Sequence, residues 1–182
     1  MKMVSRILLC LVLSLVGHVT SAQTRLTVSQ ALDFWISNTE KEVVPTADAM
    51  PEEKYSFAPT AGEFAGARTF GQQVKHLAAN NYRMASYMVG HTPTPDQESE
   101  AGPDDVRSKA QIMDYRKGSF AALHRAVAAV SEGNMVEPLA VPLRQSTRLQ
   151  LAVDVVAHSY DHYGQMVEYL RMNGIVPPAS RR

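Results

Sequence analysis

The stretch from residue 146 to 174, STRLQLAVDVVAHSYDHYGQMVEYLRMNG, constrains this chain more than any other. Leu149, Ala152, Val153, Val156, Tyr160, Tyr163, Val167 and Leu170 recur at three- and four-residue steps, the period of an amphipathic helix. Ser146 or Thr147 can cap its start. Gly174 follows the last periodic residue, and Pro177 and Pro178 stand beyond it as stop signals. Within this helix His158 and His162 are one turn apart. At that spacing two imidazoles leave the same face with about 6 Å between their Cβ atoms, close enough to share one metal ion. Gln165 and Tyr169 continue the stripe, and Leu151 and Val155 mark it as the inner one.

Three further helices are predicted from the rest of the chain. Residues 26 to 50 carry an apolar set of Leu26, Val28, Ala31, Leu32, Trp35, Ile36, Val43 and Val44, with Thr27 or Ser29 as cap and Pro45 expected to end or bend the segment. Residues 69 to 89 present Phe70, Val74, Leu77, Ala78, Tyr82, Ala85 and Met88. A third pattern opens at Asp104 or Asp105 and runs to about Val130, with Gly118 in its interior at a cost of roughly 1 kcal/mol against alanine. The connections 51–67, 90–103 and 133–145 are rich in proline, glycine and polar residues. Tyr55, Phe57 and Phe64 are expected to tack the first of them onto the helices. No segment reads as a strand. The expected fold is all-α, a four-helix bundle with long crossover connections.

The first 22 residues read as a secretory signal peptide: Lys2 and Arg6, the apolar run Ile7–Val16, then Thr20-Ser21-Ala22 as a cleavage site. Such a run is too short to span a bilayer, so no stable membrane anchor remains after cleavage. Residues 23–182 then form a single domain. The only cysteine, Cys10, falls in the leader, so the mature chain can form no disulfide, thiolate ligand or cysteine nucleophile. Without Lys2 and Arg6, 16 basic residues face 18 acidic ones, which is no footprint for nucleic acid.

Five histidines remain. His91 begins a loop and His124 sits beside Arg125, and neither needs a function. His158 and His162 lie on an inner stripe, where two imidazoles are costly unless their polar atoms are satisfied. Three readings stay open: boundary histidines touching water, one half of a haem axial site, or part of a catalytic-type metal centre with three protein ligands and an open position. The HExxH protease signature is absent, because Ser159 follows the first histidine. Asp161 points about 100° away from His162 around the helix. His76, near the apolar face of the second helix, is the candidate third ligand.

The segments WISNTEKEVVPTADAMPEEKYSFAPT, RTFGQQVKHLAANNYRM and HSYDHYGQMVEYLRMNGIVPP stand in an order that resembles the DinB/YfiT-like family of helical-bundle metalloproteins, over roughly residues 28 to 178. The last phrase is the specific one: two histidines four apart, GQ, a leucine-rich turn and a double proline. The resemblance implies a bundle with a long crossover after the first helix. It also implies a divalent metal held by His76, His158 and His162. Zn, Ni and Fe all accept imidazole ligands. Gln165, Tyr82, Tyr160 and Tyr163 are candidates for the shell around that centre, Gln165 as a partner of a metal-bound water or of a ligand histidine Nδ1–H.

The function expected from the resemblance is a metal-dependent hydrolase or transferase acting on a small molecule. A leader peptide disfavours a cytosolic thiol co-substrate and puts hydrolase slightly ahead. The competing class is a non-catalytic bundle that binds a metal or ligand, and a homodimer is compatible with either. Export makes a direct prediction. Mass spectrometry of native material should find the N-terminus at or near Gln23, in a secreted or periplasmic fraction, and an intact Met1 in a soluble cytosolic fraction would count against it.

Overall fold

The computed structural model describes residues 25–60, 66–142 and 146–181. The expected leader, residues 1–22, and Phe64 lie outside the described residues. Four long helices dominate: α1 (Val28–Ala49), α2 (Phe70–Met88), α4 (Lys109–Ala128) and α5 (Arg148–Met172), with a single-turn α3 (Pro95–Glu98) between α2 and α4. Among the described residues the only β-type pairing is one isolated bridge, Pro138 with Thr147.

All five helices start by the same device. Thr27, Thr69, Thr94, Ser108 and Thr147 each accept a bond from the backbone N–H three residues on. The glutamine at that position (Gln30, Gln72, Gln97, Gln111, Gln150) returns its side chain to the cap's own N–H. This reciprocal capping box satisfies two orphan donors per helix, and losing the cap hydroxyl costs about 1 kcal/mol. It also corrects the expected start of the third long helix. Ser108, not Asp104 or Asp105, is the cap, because only Ser108 has a glutamine three residues later. Pro45 does not end α1, which continues through it to Ala49.

α1 packs on α4 and α5, and α2 packs on the same pair. α1 and α2 therefore stand diagonally across the bundle, as do α4 and α5. The connection after α1 must cross the bundle end, which is why it is long. Tyr55 pins that crossover: its Oη donates to the Ala47 carbonyl at 2.7 Å and its ring meets Phe70 edge-on. Phe57 adds an edge-on contact with Tyr169.

The core face differs from the expected stripe on α1, and on α5 it is the stripe marked by Leu151 and Val155, without part of the wider apolar set. On α1 the buried positions are Ile36, Thr39, Val43, Thr46 and Ala47, while Trp35 is 53% exposed and Leu26 lies outside the core. On α5 they include Leu151, Val155, Ser159, His162, Met166 and Leu170, and Val153 is 56% exposed. Ser159 and His162 on the inner face of α5, like Thr39 and Thr46 on that of α1, disguise each core stripe as polar. Gly118, by contrast, has a structural reason: a Cβ there would come within 2.3 Å of Tyr82 Oη, and the Tyr82 ring lies on Tyr115 through that gap.

Outside the core, α1 and α4 are joined through His124. Asp33 and Glu40 are two turns apart on α1. His124 sits between them, with Nδ1 2.6 Å from Asp33 Oδ1 and Nε2 3.1 Å from Glu40 Oε2. Carboxylates only accept, so both ring nitrogens must carry hydrogen and the ring is an imidazolium. Burial works against that charge, but the bonds to Asp33 and Glu40 outweigh it and raise the His124 pKa above its ordinary 6.5. A raised folded-state pKa stabilises fully below the unfolded value and is lost as pH rises through the folded one. Urea unfolding should therefore show His124→Gln less stable than wild type by on the order of 1 kcal/mol at pH 6. The gap should narrow as pH is raised to 9. A pH-independent gap would mean that His124 contributes by packing alone.

Candidate metal centre

His76 lies two turns into α2, and His158 and His162 lie in the middle of α5. The two helices run antiparallel, so these turns face one another. His158 Nε2 is 3.1 Å from His76 Nε2. The three ring centroids are separated by 4.6 to 5.1 Å in edge-on pairs. One nitrogen from each ring lies within 4.8 Å of the others. Ligand nitrogens about 2.0–2.1 Å from a tetrahedral ion are about 3.4 Å apart, so small side-chain adjustments bring the three into register. Among the described residues no fourth His, Cys, Asp or Glu joins the cluster.

Hydrogen bonds fix the tautomers. His76 Nδ1 faces the Glu100 carbonyl at 2.8 Å. A carbonyl only accepts, so Nδ1 carries the hydrogen and Nε2 presents its lone pair to the cluster. His162 Nδ1 meets Gln73 Oε1. Gln73 Nε2 is engaged as a donor to Gln165 Oε1 at 2.8 Å, which leaves Gln73 Oε1 as the acceptor and turns the His162 Nε2 lone pair inward as well. The chain then ends at the surface, where Gln165 Nε2 donates to Asp161 Oδ2 at 3.0 Å.

Electrostatics keeps the rings neutral. Burial lowers the His162 pKa to about 4, and the neighbouring His158 and His76 push the same way. Burial also lowers His76, with Arg68 and His158 adding to the effect, and lowers His158, with Arg83 and Arg116 adding. Neutral imidazole is the form that ligates metal.

The residues singled out in sequence fare unequally. His76, His158 and His162 come together. Gln165 belongs to the surrounding network but bonds Gln73 rather than a ring nitrogen. Tyr82, Tyr160 and Tyr163 contact other groups. Tyr82 is six residues from His76, about 120° around α2, and stacks on Tyr115. Tyr160 and Tyr163 pair edge-on, and Tyr163 Oη donates to Glu42 of α1 at 3.0 Å. His91 is exposed, as its loop position suggested. Two functional contacts were missed. Gln73 was visible as the residue one turn before His76, on the same face. The Glu100 carbonyl carries no side-chain signal at all, and it makes residues 99–102 a cover for the cluster rather than a plain surface loop.

The family model described as the DinB superfamily matches residues 36–166. Five solved chains also match. One is a crystal structure of a DinB-like protein from Bacillus cereus ATCC 10987, with a TM-score of 0.66 at 17% identity, over 84% of this chain and 96% of that one. At that identity the likeness speaks for the fold alone. A search of curated proteins finds no match. The all-α bundle and the three gathered histidines agree with the family match, which covers well over half of the sequence, and the chain belongs to the DinB superfamily.

Proposed function

We propose that this protein holds one divalent metal ion on His76, His158 and His162 and uses it to transform a small molecule. A hydrolytic reaction is preferred over group transfer. The observation that carries the reading is the pair of inward lone pairs on His76 and His162, each fixed by an oxygen behind the ring. A three-histidine set of this kind fits Zn, Ni or Fe. Such an ion would supply Lewis acidity and, with three protein ligands, an open position.

The chain's own residues have separable tasks. His76 and His162 arrive with the correct nitrogen deprotonated. His158 does not: its Nε2 must carry the hydrogen shared with the His76 lone pair at 3.1 Å. Ligation by His158 Nε2 would require the other neutral tautomer, with the Nε2 hydrogen given up to solvent and one hydrogen taken up at Nδ1. His158 is only half-buried, and Asp154 and Asp161 act on its ring electrostatically in favour of a proton. Gln73 orients His162, and Gln165 orients Gln73. The backbone of Glu100 orients His76. A fourth protein ligand would argue for the competing class, a non-catalytic metal-binding bundle. The three-member cluster favours an open position and therefore turnover. Export through the leader remains part of the proposal.

The test begins with metal analysis of protein purified without a histidine tag. His76→Ala, His158→Ala and His162→Ala should each abolish stoichiometric binding, while His91→Ala and His124→Ala retain it. Bound metal should raise Tm as free metal increases. If His76→Ala keeps full affinity and an unchanged metal spectrum, the three-histidine centre is wrong.

Two further outcomes follow from the geometry. Gln73→Ala should weaken metal affinity by about 10- to 100-fold, because the His162 tautomer is no longer fixed. Gln165→Ala, acting one bond further out, should cost less, and isothermal titration that ranks the two variants in reverse would refute the relay order. The pH dependence is the opposite of that expected for His124. The depressed pKa values mean that the unfolded chain takes up protons first, so apoprotein stability falls as pH drops from 6.5 towards 4. Metal loading should raise stability most near pH 6.5 and make that decline steeper, because protons compete with the ion for the same imidazoles, as read by thermal unfolding across the window.

A further inference from the structure

The pairing of α2 with α5 continues past the histidines. Antiparallel pairing sets Gln73 against Gln165 at one end and brings Arg148 to the Met88 carbonyl at the other. Asn80 and Arg83 come next on α2, four and seven residues beyond His76 and on the same face. Arg83 Nη2 donates to Asn80 Oδ1 at 2.9 Å. Helical side chains lean towards the N-terminus of their helix, so this guanidinium leans back towards the histidines.

The remaining donors of the pair are unanswered. Asn80 is 5% exposed, and its Nδ2 has no hydrogen-bond partner. Arg83 Nε is also buried without a partner. Among the described residues no carboxylate lies within ion-pair distance of Arg83. Asp154, at this level of α5, is exposed and stays outside that distance. Two other arginines act electrostatically on the histidines, and neither offers the same contact: Arg68 is paired, and Arg116, although its Nε and Nη2 also lack partners, is fully buried where Arg83 is half-buried. Arg68 pairs with Glu100 at 3.0 Å, and Arg116 is wholly enclosed and stacked on Phe120. Buried donors without acceptors are costly, and a planar guanidinium matches a carboxylate in geometry and charge.

We propose that Arg83 and Asn80 form a recognition subsite for a carboxylate on the small molecule whose other end reaches the metal. This rests on the metal reading of the preceding subsection. Seven residues of helix span about 10 Å, and the backward lean of Arg83 shortens that distance, so the ligand has only a few carbons between its two ends. The substrate class is thus a short carboxylic acid with a metal-directed group at the far end.

The probes are two hydroxamic acids of similar length, succinic monohydroxamate and butyrohydroxamate, which differ in ending in a carboxylate or a methyl group. Each is titrated into the cobalt-loaded, tag-free protein, with the visible spectrum of the cobalt as readout. Wild type should bind the carboxylate-bearing probe at least about ten-fold more tightly than its neutral homologue. Arg83→Gln should lose that preference while binding cobalt and butyrohydroxamate as wild type does, and Arg83→Lys should keep part of it. The cobalt stoichiometry of each variant doubles as a check on its fold, and if Arg83→Gln fails that check the lysine variant decides by its reduced preference. Equal affinity of wild type for the two probes, or a preference that survives unchanged in either variant, overturns the subsite and leaves the metal centre standing. A wild-type protein that takes up no cobalt overturns the metal centre and the subsite together.

Discussion

The Nδ1–H groups of His76 and His162 both point outward to oxygen acceptors, and much of the surrounding structure exists to keep them there. An imidazole has two nitrogens and, when neutral, one hydrogen. Fixing that hydrogen on the outer nitrogen leaves the inner one with a free lone pair, the form that can ligate a metal. The Glu100 carbonyl does this for His76, and Gln73 does it for His162. Neither acceptor could hold its position alone. Gln73 is clamped by Gln165, itself tied to Asp161, and the Glu100 segment is tied to Arg68, just before α2, and to α2 through Tyr87, whose Oη bonds Glu98.

The bundle handles its charged groups in two contrasting ways. At the centre, burial and mutual repulsion strip protons from three histidines. At the α1–α4 boundary, two carboxylates load a proton onto a fourth. Residue type is the same in both places, and only the neighbours differ. A third case is Arg116, fully buried without a carboxylate, its ring-like guanidinium stacked 4.2 Å from the Phe120 centroid. Burial alone drives its pKa down to about 9. It is held by stacking and by Asn81, whose amide oxygen in the better-satisfied orientation accepts from Arg116 Nη1 at 3.0 Å.

The diagonal placement of α1 against α2 ties fold to site. Because α1 does not pack chiefly on α2, α2 is free to pair with α5, and it is this pairing that brings His76 to His158 and His162. The crossover that makes it possible is long and carries its own apolar anchors, Tyr55 and Phe57. The segment between α2 and α4 joins neighbouring helices instead. Its length is used differently, to carry α3 and the Glu100 carbonyl over the cluster.

The sequence by itself determined the all-α class, the four long helices and the two histidines that share one face of α5, because a period of 3.6 and an i, i+4 spacing are local facts. It also carried five Ser/Thr-x-x-Gln capping boxes that mark the start of each of the five α-helices to the residue, a stronger signal than Asp104 and Asp105 offer for the start of α4. It could not reveal which stripe of α1 is buried, and on α5 it offered two, of which the one marked by Leu151, Val155 and His162 is the core. The core positions Thr39, Thr46, Ser159 and His162 are polar, and a polar residue looks inward only when its partners on other helices are known. That His76 completes the cluster followed from family resemblance, not from periodicity. The Gln73 bond, the Glu100 carbonyl, the displacement of the three tyrosines and the two carboxylates around His124 were decided by tertiary structure alone. Each joins residues 24 to 121 positions apart, or depends on the angle at which one helix meets the next, and no local pattern encodes either.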